Sequence, residues 1–143
     1  MDTKRFVIGT LVGGITMYVV GYLIWGLAFA DFFAANVGSA TGVAREPGLV
    51  WAVALGALSL AALVTLAVGS RAGSSTIGGG FKIGAIVGFL VWFGVDFIRY
   101  GVTNVSNLTA TIVDPLLEIV RTGIGGAVIA AVLARLVKRQ EVT

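Results

Sequence analysis

Four long apolar stretches, covering residues 6–30, 49–69, 81–102 and 115–137, alternate with short polar breaks along the chain. Crossing a bilayer as a helix takes about 20 apolar residues, and each stretch is long enough. The pattern predicts an all-α, polytopic membrane four-helix bundle in which residues 1–143 form a single transmembrane domain. The first stretch has the basic start of a signal peptide, with Ala28 and Ala30 before Asp31. It is much longer than the apolar segment of such peptides, about 7–15 residues, so it reads as a retained span.

The breaks carry their own signals. Residues 31–48 (DFFAANVGSATGVAREPG) begin with Phe32 and Phe33, which suit a membrane interface and a short interfacial helix. Gly38, Gly42 and Pro47 then argue for turns. Residues 70–80 (SRAGSSTIGGG) read as a flexible linker, because no Gly-Lys-Ser/Thr follows to make a phosphate loop. Residues 101–113 are polar and hold two glycosylation patterns, Asn104-Val-Ser and Asn107-Leu-Thr, which matter only in a secretory pathway. Asp114-Pro115 is the expected start of the fourth helix, with Asp as the N-cap and Pro as its first residue.

Charge inside the apolar stretches is the main departure from this pattern. The third stretch carries Asp96 and Arg99, and the fourth answers with Glu118 and Arg121 near its start. An ionised group in hydrocarbon is costly unless paired, so such residues mark structural pairs or functional sites. With Asp114 and Asp31 they form the candidate intramembrane charge cluster, and the third stretch reads as the piece the others are arranged around. Asp114, Glu118, Arg121 and Gly125 share one helical face. At a rise of 1.5 Å per residue through a core of about 30 Å, a fourth helix entering at Pro115 puts Asp96 level with Arg121, and Arg99 level with Glu118. Crosswise pairing and a neutral quartet are expected.

Composition closes most other chemistries. Fifty-seven per cent of the residues are hydrophobic, 12 % are charged and the mean hydropathy is +1.00. With neither cysteine nor histidine, the chain lacks a thiolate nucleophile, the commonest general base and the usual zinc and haem ligands. The expectation is a non-enzymatic protein with no metal site, no cofactor and no nucleic-acid partner.

Small residues four apart mark where helices approach closely in a bilayer. Gly9 and Gly13 do so in the first stretch, Gly84 and Gly88 in the third, and Gly126 with Ala130 in the fourth. FVIGTLVGG from Phe6 also matches FKIGAIVGF from Phe81, consistent with a two-plus-two duplication. Lys4, Arg5, Arg71, Lys82, Arg135, Lys138 and Arg139 fall at the end holding both termini, against Arg45, Arg99 and Arg121 at the other. The positive-inside rule then predicts cytoplasmic termini. All three tryptophans lie in the other half, as an aromatic belt.

In size, span spacing and stretches such as GTLVGG, DFFAANVGSATG and NLTATIVDPLL, the chain resembles small four-span bacterial integral membrane proteins grouped as a domain of unknown function. The resemblance implies an inner-membrane location and no catalytic activity. The leading expectation is an accessory subunit or homo-oligomer acting through helix packing in the lipid bilayer. The alternative is a small transporter or channel for protons, ions or a polar solute with an outward-facing charged site. A weaker third reading is lipid or pigment binding by the aromatics.

Overall fold

Asp2 opens the first helix by accepting the Arg5 amide at 2.8 Å, and α1 then runs over Thr3–Gly21. In the computed structural model, which describes residues 1–70 and 76–140, this span does not end as an α-helix. It widens into a π-helical segment, Tyr22–Ala28, and the Phe29 amide bonds to the Ile24 carbonyl at 2.8 Å. A short helix, α2 (Ala30–Ala35), follows where Phe32 and Phe33 suggested an interfacial helix. The remaining spans are α3 (Val50–Gly69), α4 (Ile77–Val102) and α5 (Leu108–Gln140).

Two boundaries differ from expectation. Helix α4 begins before Phe81, because the Thr76 hydroxyl caps it by accepting the Gly79 amide at 3.0 Å. Ile77 to Gly80 are therefore helical and do not belong to a linker, while residues 71–75 of that linker lie outside the described residues. Helix α5 begins at Leu108, seven residues before Pro115, which sits inside it. Asn107, not Asp114, is the cap: its side-chain oxygen accepts the Ala110 amide at 2.9 Å and its carbonyl accepts the Thr111 amide at 3.1 Å. Proline withholds one amide from the helix ladder, a loss that membrane helices tolerate when they are packed by neighbours.

The four apolar helices, Thr3–Ala28, Val50–Gly69, Ile77–Val102 and Leu108–Val137, are each long enough to cross a membrane. They pack against one another as a four-helix bundle of a multi-pass membrane protein. Helices α3 and α5 meet across the short diagonal, with α1 and α4 at the other corners. The organising element is α5 rather than the third stretch: 44 % of its most apolar window is buried, against 17 % in α4. Ile15, Leu90 and Ile98 point outward, as lipid-facing side chains do.

Glycine closes the α4–α5 contact. A Cβ on Gly84 would strike the Thr122 carbonyl oxygen, and one on Gly88 would strike the Thr122 hydroxyl. Gly126 in turn lies against Gly84 and the Gly80 carbonyl. Gly9 and Gly13 do the same for α1, facing Thr65 on α3 and Ala61 with Ile129, respectively. Around these contacts Met17, Leu60, Ala61, Val64, Val68, Ile129, Ala130 and Leu133 fill the half of the bundle nearer the termini.

At the opposite, distal end the two longer connections are tied together. Val37 pairs with Ser106 in an isolated antiparallel bridge, and the Ala40 amide donates to the Asn104 carbonyl at 3.0 Å. Gly38 admits this contact, since a Cβ there would collide with the Asn104 carbonyl. The Asn107 amide group also donates to the Asn36 side chain at 3.0 Å. The tie fixes the rim of the distal cavity.

Candidate functional site

The glycine seam sets what meets at the distal end. Moving along α4 in steps of four, Gly80 faces Ala130, Gly84 faces Gly126 and Gly88 faces Thr122. Carried to Asp96, the same antiparallel register places its carboxyl beside that of Asp114. Two acids from different helices thus adjoin in the interior.

The crosswise pairing expected from depth is not formed. Asp96 Oδ1 lies 3.2 Å from Nη2 of Arg99, three residues along its own helix. Glu118 holds Arg121 in the same way, with Nε to Oε2 and Nη2 to Oε1 both at 3.0 Å. The cause is the early start of α5, because seven residues correspond to about 10 Å of helix rise. Depth matching from Pro115 therefore paired the wrong turns. Asp31, the remaining candidate, is exposed on α2 and does not join the cluster.

The pairs differ in quality. Glu118 is 1 % exposed and doubly bonded by Arg121, whose guanidinium also lies over the rings of Trp25 (5.2 Å) and Trp92 (5.9 Å). Cation–π contact of this kind strengthens with desolvation. Gly21 leaves room for this side chain: a Cβ there would lie 3.2 Å from Arg121 Nη1. Asp96 is 0 % exposed, yet neither of its oxygens receives a hydrogen bond. Its partner Arg99 has a side chain 43 % exposed. Buried polar atoms are almost always satisfied; among the described residues Asp96 shares this exception with Thr10, Thr65 and Trp92, among others, and is the acid among them.

A cavity of about 410 Å³ lies beneath the tied connections; Asp96 is not on its wall but adjoins Asp114, which is. Its walls include Trp25, Trp92, Arg99, Asp114, Glu118 and Arg121. The π-helical segment supplies Trp25, whose indole N–H donates to Asp114 Oδ1 at 2.6 Å. Trp92 stands four residues before Asp96, on the same face of α4, and its buried indole N–H has no acceptor.

Asp96, Asp114 and Glu118 face Arg99 and Arg121, three acids against two bases, leaving one formal negative charge uncompensated. Among the described residues no group of acidic side chains is placed to hold a metal ion. Tryptophan faces beside carboxylates suit an organic cation instead. The charge pattern pointed to Asp96, Asp114, Glu118 and Arg121 directly, but the two tryptophans were read only as belt residues. The Trp92–Asp96–Arg99 spacing was the available signal for Trp92; nothing in the sequence announced the π-helical segment that aims Trp25. No protein-family model, curated protein or solved structure matches this chain.

Proposed function

We propose that this protein is a non-enzymatic, inner-membrane binding protein of the transporter class, taking a small organic cation into its distal cavity. The observation that carries the proposal is the acid pair at the cavity wall: Asp114 lines the cavity, buried Asp96 adjoins it, and with Glu118 they exceed Arg99 and Arg121 by one acid. An ammonium or guanidinium group supplies what the site lacks, both charge and N–H donors. The bias of basic residues towards the terminal end turns the cavity outward from the cytoplasm.

The accessory-subunit or homo-oligomer role has less support than the sequence offered it. The stripes at Gly9, Gly13, Gly84, Gly88 and Gly126 are used within one chain, against its own helices. Among the described residues, Ala52 and Gly56 of α3 are a small-residue pair left exposed.

The test is binding of ethylammonium to the protein in phosphatidylcholine nanodiscs, read from tryptophan fluorescence. Asp96→Asn keeps the shape but removes the charge, and should weaken binding about tenfold or more, the range of one charge-assisted hydrogen bond. Equal binding by the wild type and the variant would remove Asp96 from the site and the proposal with it.

A further inference from the structure

We propose that the cationic ligand is an amphiphile, with its head among the carboxylates and its apolar tail leaving sideways through the cleft between α1 and α3. The inference rests on the cation-binding reading and adds the shape of the ligand. It comes from where Arg121 stands. That side chain is a wall of the polar cavity and of two apolar clefts flanking it, of about 500 and 450 Å³. The larger lies between α1 and α3 and shares Trp25 as well as Arg121 with the polar cavity. Trp25 and Arg121 are thus the partition between a charged chamber and an apolar opening in the side of the bundle.

Several features make this side the route. Gly21, Gly26 and Gly48 leave the cleft wall bare. Its remaining surface, including Met17, Val50, Val53 and Ala57, is apolar and suits an alkyl chain. The π-helical segment bounds it, and such segments are common at functional sites. The second cleft, between α3 and α4, meets the polar cavity through Trp92 instead and is lined by Gly56, Ser59 and Leu63.

The energetics concern the route rather than the strength of tail contacts. A chain already in lipid gains little by moving into an apolar cleft. The cleft instead lets the head reach Asp114, beside buried Asp96, while the tail stays out of water. With the cleft blocked, the tail must follow the head through the polar cavity, and hydrating roughly two methylenes costs about tenfold in affinity.

The glycines provide a matched pair of blocks. Gly48 lines only the α1–α3 cleft and Gly56 only the α3–α4 cleft, and a Cβ at either meets nothing within 4 Å. Ethylammonium and decylammonium are titrated into nanodiscs on a Trp51→Phe background, which leaves Trp25 and Trp92 as reporters. Gly48→Phe should weaken decylammonium about tenfold while leaving ethylammonium within about twofold. Gly56→Phe should change neither. Val50→Trp, at a position 65 % exposed on the same cleft, blocks it from another side, so that misfolding of one variant does not decide the result. If both Gly48→Phe and Val50→Trp leave decylammonium unchanged, or weaken both amines equally, the tail does not use this cleft and the inference fails. Loss on Gly56→Phe alone moves the tail to the other cleft and also overturns it. In each of these cases ethylammonium binding that depends on Asp96 leaves the cation site standing. If neither amine responds to Asp96→Asn, the cation-binding reading fails first.

Discussion

Gly84→Leu should abolish stable folding of the bundle, while Gly56→Leu should be tolerated. At Gly84 even a single Cβ would lie inside the Thr122 carbonyl oxygen, which is backbone and cannot rotate away. The helices must move apart, and with them go the Gly88–Thr122 and Gly126–Gly80 contacts of the same seam. Overpacking a soluble core costs about 1–3 kcal/mol. Here the loss should reach or exceed the upper end, because separating membrane helices forfeits close packing with no hydrophobic gain to offset it. Thermal unfolding followed by circular dichroism in detergent checks the pair. Equal stability of the Gly84→Leu variant and the wild type would mean that α4 and α5 do not meet at this seam.

Arg121→Ala should be the most damaging single change within the charge cluster. It leaves Glu118, 1 % exposed, without either of its 3.0 Å bonds. Removing one partner of a buried ion pair costs about 3–5 kcal/mol, mostly through the stranded charge. The contacts with Trp25 and Trp92 are lost as well, adding about 0.5–2 kcal/mol. Glu118→Gln combined with Arg121→Met should recover a large part of that loss, since no buried charge is then left alone. Exchanging Asp96 and Arg121 should recover nothing, as those residues are not partners. Rescue by that exchange, measured as unfolding midpoints of the single and double variants, would contradict the within-helix pairing.

The contrast between these two results shows what the sequence could and could not specify. Hydropathy located all four helices, and glycine spacing located the seam, because both depend on residue type along one helix. Pairing between helices depends on register, and register follows from where each helix begins. Asp114-Pro115 looked like a helix start by every local rule, yet Asn107, within the polar connection and about two turns earlier, supplied a competing cap. A local preference of about 1 kcal/mol was outweighed by the packing of α5 against three neighbours. In the structure the glycine seam sets that register: extended from Gly84–Gly126 and Gly88–Thr122, it leads to Asp96 and Asp114. The widening of the first span at Tyr22 had no comparable signal. Trp25 consequently joined the site only when the structure placed its indole on Asp114.

Register is therefore the point on which the cation site rests. The chain contains no cysteine, so pairs can be introduced without background. A disulfide requires Cα atoms within about 7 Å, which the close approach of α4 and α5 along the glycine seam favours at 96 and 114. Asp96→Cys with Asp114→Cys should cross-link readily under mild oxidation in the membrane, and Asp96→Cys with Arg121→Cys, two helical turns away, should not. Cross-linking of the second pair and not the first would restore the crosswise pairing, separate Asp96 from Asp114, and remove the acid pair on which the cation site rests.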